Sequence, residues 1–534
     1  MKIKWWIALI VIIVAASIFF IAKKDTQKPK IDSHITLNDI LRLQQAQISS
    51  FDPLDAYHAG HIQIVKQLYN TLVDIDLNGR PVPSLSEKWV TRDWKTWRFH
   101  LKKDAYFLDD PCFADKSERM FTATDVQYTF ERLLNKASGS LGVSYFTNIS
   151  GAKEYREGKT DSIEGIKVVD DHTIDFILEK EDFSFPDLLT MPYASIVKKA
   201  AVEHYGENFK QHPVGTGPFT LKKYEPDKEI ILVKNKDYWE TQSGQQLPYV
   251  DTVTIHLTTD DNLALLMFNN KKTDFLELSL PLLKQLKAMD LSFRYKTETR
   301  ENPQLNFYLY NLVRIKDANV RKAMNHALNR DELQKILSEQ GTVATSLYPP
   351  ALFKNLASSK DILNYSPDKA RTYLKDINSL SLVCFEDILS KSVAEFIARS
   401  LKTYDIQVKI ESVPFPVLVD RLTKEKYDLI QIYWGPLYAD VCHYLNPFLT
   451  SSFPPTGNNF NKYSKPEFDR LVTESKSLPA DKRKENFLKA EGVILNDMPF
   501  LLLYFKNTIR VSNESFDMPL HPLGYRFYKY AKKR

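Results

Sequence analysis

Glycine is scarce in this chain of 534 residues. Its 16 glycines make up about 3%, against the roughly 7% usual in proteins. That argues against collagen-like, propeller-like and glycine-rich linker architectures. Cysteine is scarcer still: Cys112, Cys384 and Cys442 lie far apart, are odd in number and form no CxxC. Neither a zinc ribbon nor a disulfide framework is legible in that spacing. Three isolated thiols read as buried side chains, with a single disulfide left open. Beyond residue 22 there is no run of 18 apolar residues, which excludes a multi-span permease. GxGxxG, a Walker-type phosphate loop, HExxH and GxSxG are all missing, and with them the commonest signatures of nucleotide, zinc-protease and serine-hydrolase chemistry.

What is present has the balance of a globular protein. Hydrophobic residues are 43% and charged residues 26%, which rules out wholesale disorder. The length suggests three or four domains or one large multi-lobed unit. Aromatic residues reach 12%, a load that suits a core and a recognition cleft alike. The net charge of +5 is confined to one end. Residues 1–30 hold six lysines and a single acid, Asp25, whereas residues 31–534 carry 66 basic and 66 acidic side chains. A neutral body has no field to attract nucleic acid, and no such partner is expected.

From Trp5 to Ala22 the sequence is uncharged, with Ser17 its only plainly polar residue. Eighteen residues at ~1.5 Å each give about 27 Å of helix, enough to cross a thin hydrocarbon core. Lys2 and Lys4 in front would hold the N-terminus in the cytoplasm. A cleavable signal peptide would have a shorter apolar stretch ending at small residues, and after Ala15-Ala16-Ser17 the apolar run continues. The reading favoured is an uncleaved anchor over 5–22, with 1–31 as anchor or signal peptide plus tether. No cysteine adjoins it, so a lipid-modified N-terminal Cys is excluded. Either way, residues 31–534 are expected outside the cytoplasm.

Further along, Phe51–Val73 has helical spacing, with Ile62, Val65, Leu68 and Leu72 on one face. Thr122–Leu134 predicts a helix with an N-cap turn at its start. Trp97–Leu101 alternates like a strand, and Ile166–Leu178 predicts two strands joined across Asp170-Asp171-His172. Glu229–Val233 and Val253–Leu257 are further strands. Asn319–Leu337 predicts one strong helix. Val393–Tyr404 then Gln407–Val413, and Leu418–Lys424 then Leu429–Trp434, repeat the order helix, strand. That alternation predicts an α/β fold with parallel strands in the C-terminal half.

Two short patterns have a chemical reading and a blander one. Ser195-Ile196-Val197-Lys198 matches the SxxK nucleophile pattern, but no KTG accompanies it and four residues match by chance. His58 and His61 sit one helical turn apart, as metal ligands would, although polar positions on a helix rim account for them better.

Several ordered segments resemble family 5 of the extracellular solute-binding proteins, the peptide- and nickel-binding components of ATP-driven (ABC) importers. They begin with Asp52-Pro53, Gln67–Leu72 and Pro83–Trp89, followed by Trp97–Ala105 and Phe121–Val126. Gly215-Thr216-Gly217-Pro218-Phe219 with Asn235–Trp239 is the best-known internal motif. Val320–Ala323 with Asn329-Arg330, Tyr463–Asp469 and Met498-Pro499 complete a series over about 36–515. The resemblance implies a periplasmic-binding type II fold, two lobes around a ligand cleft, in three domains. Domain I would comprise 32–75, 195–298 and 500–534, domain II 76–194 and domain III 299–499. It further implies a non-enzymatic, monomeric binder without cofactor or metal. That binder would deliver peptides to the permease subunits of an ABC importer, from a periplasmic or extracytoplasmic position. A nickel chelate, a glycan or a cell-wall peptide as solute, or a membrane-tethered sensor, are the alternatives.

The same resemblance places ligand-binding residues. Tyr57, His58 and Ala59 fall in the domain I loop that touches ligand in relatives. Trp434, Gly435, Tyr438 and Asp440 fall in the cleft segment of domain III. Peptide-binding relatives carry an Asp three residues after the Trp, where it pairs with the ligand's α-ammonium. Here that position is Leu437, and Asp440 comes six residues after. A gapped alignment makes Asp440 the amine ligand; an ungapped one leaves it capping a turn.

Overall fold

The computed structural model describes residues 40–534 apart from 47, 57–58, 289–294, 357–360 and 455–456. The segment read as a membrane anchor lies outside the described residues. Among those described, no helix is long and apolar enough to cross a membrane.

Strand β1 (Ile40–Gln45) leads to helix α1 (Ala59–Leu68). The helix is shorter than the periodicity of 51–73 predicts, because Asp52 caps a separate 3-10 turn at Pro53–Asp55. Strands β2 (Ser86–Thr91), β3 (Thr96–Leu101), β4 (Ile166–Asp170) and β5 (Thr173–Ile177) form an antiparallel sheet in the order β2-β3-β5-β4. A helix over Ala123–Leu134 lies between β3 and β4, its entry fixed by the Asp125 carboxylate accepting from Thr122 N at 2.9 Å. The chain then returns to complete the first sheet with β6 (Phe219–Glu225), β7 (Glu229–Lys234) and β8 (Thr252–Leu257), in the order β1-β8-β7-β6. The Gly215-Thr216-Gly217 loop lies on the end of α1, where Gly217 N donates to Leu68 O at 3.0 Å. A Cβ at Gly217 would sit 2.4 Å from the Leu68 carbonyl carbon, so only glycine permits this approach.

The third sheet is the largest. In chain order its strands are β9 (Phe275–Glu277), β10 (Lys296–Tyr310), β11 (Gly341–Val343), β12 (Ser379–Phe385), β13 (Gln407–Val413), β14 (Leu429–Trp434) and β15 (Phe500–Ser512). They run β9-β15-β10-β14-β12-β13, with β11 pairing β15. Helix α2 (Ile388–Lys402) links β12 to β13, and a helix over Phe415–Thr423 links β13 to β14. Strand β12 pairs in parallel with both β13 and β14, as the alternation of patterns predicts. The two longest strands, β10 and β15, pair antiparallel along their length except at two irregularities, the larger at 302–304 and a second where Leu503 is left unopposed between Asn306 and Phe307. Glu301 faces Asn507 and Leu305 faces Phe505, so Asn302, Pro303 and Gln304 oppose Lys506 alone.

A second predicted element is corrected. Residues 319–337 are not a single helix: Ala318–His326 and Arg330–Leu337 are separate, because Asn329 caps the second by accepting from Asp331 N and Glu332 N. The C-terminal segment closes back on the start of the chain. Gln67 Nε2 donates to Arg526 O at 2.9 Å, and buried Lys529 meets Glu240 at 2.6 Å and Asp74 at 3.3 Å.

Candidate functional site

Two cavities adjoin the third sheet. The larger, ≈ 900 Å³, is walled by α1 (Ala59, Gly60, Gln63), the irregular stretch of β10 and the facing part of β15. The start of α2 and His521–Arg526 complete its lining. The smaller, ≈ 300 Å³, lies between residues 144–188 and 434–476. Both volumes suit small-molecule to short-peptide ligands.

The loop that follows β14 lines the smaller cavity and is tied to a residue that lines the larger. Tyr438 is 1% exposed and belongs to the core built by the first two sheets. Its ring meets Tyr145 edge-on at 6.4 Å and His443 at 5.1 Å. Leu437 O accepts the Tyr525 hydroxyl at 2.6 Å, and this bond ties the loop to the C-terminal segment. Trp434 is half-buried; its Nε1 donates to His443 O at 2.8 Å and its indole stacks on the His443 ring at 5.3 Å. His443 Nε2 donates to Gly435 O at 2.9 Å. Burial pushes the His443 imidazole down to about 4, so it is neutral at physiological pH.

The sequence-predicted residues divide as follows. Ala59 lines the larger cavity, whereas Trp434 and Tyr438 line the smaller. Gly435 is exposed, and a Cβ added there would meet only Gln304 at 3.8 Å, in ordinary contact. Tyr57 and His58 lie outside the described residues. Asp440 lines neither cavity. Its Oδ1 accepts from Cys442 N at 2.7 Å and its Oδ2 meets Arg483 at 2.6 Å, both side chains being less than one-tenth exposed.

The remaining candidates have structural partners. His61 is buried, its Nδ1 donating to Asp55 O at 3.0 Å and its Nε2 accepting from Ser49 N at 3.1 Å. Both ring nitrogens are therefore occupied by backbone. Lys198 of the SxxK pattern donates to Met120 O and Asp125. The three cysteines are free thiols, and burial pushes Cys112 up to about 12 and Cys384 up to about 11, far from a reactive thiolate.

Sequence reasoning missed much of the larger cavity's wall. Arg300, Asn302 and Gln304 on β10, Gln63 on α1, and His521 and Tyr525 near the C-terminus carry no motif. His521 Nε2 donates to Asp76 O at 2.7 Å, and its Nδ1 accepts from Leu523 N at 3.1 Å. Burial holds this imidazole down at about 4.

Comparison with solved structures shows that this chain has the type II periplasmic-binding-protein fold. The Haemophilus influenzae OppA complex with RPPGFSPFR superposes with a TM-score of 0.77 at 21% identity, covering 93% of this chain and 99% of that one. The Escherichia coli murein tripeptide binding protein MppA gives 0.79 at 19%, covering 93% and 98%. At such identities the likeness speaks for the fold. The family model for bacterial extracellular solute-binding proteins, family 5 (middle region), matches residues 80–454, and the chain belongs to that family. Among curated relatives, the dipeptide-binding protein of Escherichia coli K12 is 26% identical over 492 residues, 86% of this chain and 88% of that protein. The periplasmic oligopeptide-binding protein OppA of Salmonella typhimurium is 25% identical over 497 residues, 87% of each.

Proposed function

We propose that the protein captures peptides in the cleft between its lobes and delivers them to the permease subunits of an ABC importer, without catalysing a reaction. The observation that carries this reading is family membership together with near full-length relatives named for dipeptide and oligopeptide binding. A cleft of ≈ 900 Å³ in the same body supports it. In this reading 32–75, 195–298 and 500–534 form domain I, 76–194 domain II and 299–499 domain III. Strands β10 and β15 carry the hinge at their irregular pairing.

Ala59, Trp434, Gly435 and Tyr438 then line the ligand path, and Asp440 stands behind the wall, engaged with Arg483. Tyr57 and His58 complete the domain I loop. The protein works as a monomer outside the cytoplasm, held to the membrane by residues 5–22. Native mass spectrometry of the purified protein tests the reading. Retained masses that fragment as short peptides are expected; a retained glycan or metal chelate, or loss of the gene without effect on peptide uptake, would overturn it. N-terminal sequencing that begins after residue 16 would remove the anchor.

A further inference from the structure

The larger cavity contains a cation that no carboxylate of the described residues pairs with. Arg300 projects from β10, opposite Thr508 of β15, into the cavity wall. It is half-buried, and among the described residues its guanidinium has no hydrogen-bond or ion-pair partner. Burial alone moves its proton affinity, and downward; no carboxylate acts on it. The titratable group that senses it is His521, whose neutral ring offers no compensation.

The other charged groups of this wall are mostly committed: Asp261 accepts from the Ser279 hydroxyl, while the exposed Glu386 has no ion pair among the described residues. Arg526 meets Glu277 at 2.6 Å, and Arg510 meets Glu298 at 2.5 Å and donates to Met518 O. Asp387 caps α2 by accepting from Ser390 N at 3.0 Å. Glu301, one residue on, also lines this cavity, but its carboxylate accepts the Ala351 amide at 3.3 Å and makes no ion pair with Arg300. A half-buried guanidinium has lost part of its hydration, and here no protein group replaces it. Its five donors in a planar fork match a carboxylate better than any neutral group.

We propose that Arg300 binds a carboxylate of the ligand, so that the cleft selects peptides by an acidic group placed in the larger cavity. The inference rests on the peptide-binding reading and adds the chemistry by which that site selects. The carboxylate is either the peptide's C-terminus or an acidic side chain, and one set of ligands separates the two. The full-length protein is titrated with a randomised tripeptide pool bearing free carboxyl termini. The same pool amidated, and the amidated pool with Glu fixed at its centre, are the other two arms.

The parent should bind the free-acid pool at least about tenfold more tightly than the amidated pool, the scale of one charge-assisted pairing. Recovery with the fixed Glu assigns a side-chain carboxylate; no recovery assigns the terminus. Arg300→Gln should erase the preference while still binding the amidated pool as the parent does, and Arg300→Lys should retain part of it. Because the guanidinium has no partner to lose, Arg300→Gln should leave the ligand-free unfolding midpoint unchanged or raised. Equal binding of all three pools by the parent overturns the proposal, as does an Arg300→Gln variant that weakens every pool alike or lowers the ligand-free midpoint. If no pool binds the parent, the peptide-binding reading fails with it.

Discussion

The carboxylate of Asp440 meets Arg483 at 2.6 Å in a site from which water is largely excluded. Removing one member of such a pair leaves the other buried and uncompensated, which typically costs about 3–5 kcal/mol. Asp440→Ala should therefore lower the urea-unfolding free energy by roughly that amount. Peptides with free and acetylated amino termini should lose affinity for the variant alike. Discrimination between them that vanishes only in the variant would return Asp440 to the ligand. That an acid follows Trp434 by six residues is legible in the sequence; that it is already engaged is not. Arg483 lies 43 positions away, and only packing brings it to Asp440. Arg300 was missed for the converse reason: a single Arg in a polar strand looks solvated until its surroundings are known.

The stretch Asp182–Asp187 shows electrostatics at the scale of an element. Phe183 N donates to Lys476 O at 2.8 Å, and Arg483 lies over the Phe183 ring, so this short segment docks on the other side of the smaller cavity. Three acids, Asp182, Asp187 and Asp440, face two cations there, Lys476 and Arg483. Burial first, then Asp440 and Asp182, push the Asp187 carboxyl up to about 8, while Arg483 opposes them. An acid whose folded value is raised contributes its stability below its unfolded value, ~4, and loses it as pH rises through the folded one. Between about pH 4 and 8 the docked state should thus weaken with rising pH. Asp187→Asn should flatten that slope and raise the unfolding midpoint at pH 8–9; an unchanged slope would refute this. Elements themselves were more legible than their charges. The strands at 407–413 and 429–434 follow their helices as the periodicity predicts, because apolar spacing records burial directly. The break at Asn329 was hidden by apolar residues that continue across it. Asn329→Ala should cost about 1 kcal/mol through loss of the cap, read by denaturant unfolding.

At the scale of the molecule, the proposed hinge lies where β10 and β15 pair irregularly at Asn302–Gln304. Ligand bound across them should draw the lobes together. A tightly bound peptide at a hundredfold excess over its Kd should stabilise the protein by about 2.7 kcal/mol and reduce the radius of gyration in small-angle scattering. Stabilisation with an unchanged radius would mean a rigid cleft. The type II fold was legible through motifs scattered over hundreds of residues, whereas the division of the cleft into two cavities was not. Tyr438, which lines the smaller cavity, is buried in a core built by other sheets, and nothing in its local sequence says so.

The closure of the C-terminal segment onto α1 also bears on synthesis. Gln67 and Arg526, which hydrogen-bond in the finished protein, are 459 positions apart, and Lys529 is the cation that Asp74 and Glu240 share. While a ribosome is still making the middle of the chain, α1 has none of these partners, and the loop to be closed is among the longest the molecule contains. These contacts can form only once the C-terminal segment has been made. Under the proposed extracytoplasmic role, a chain whose two ends meet only at completion should stay threadable, the condition a translocation channel imposes on anything it exports unfolded.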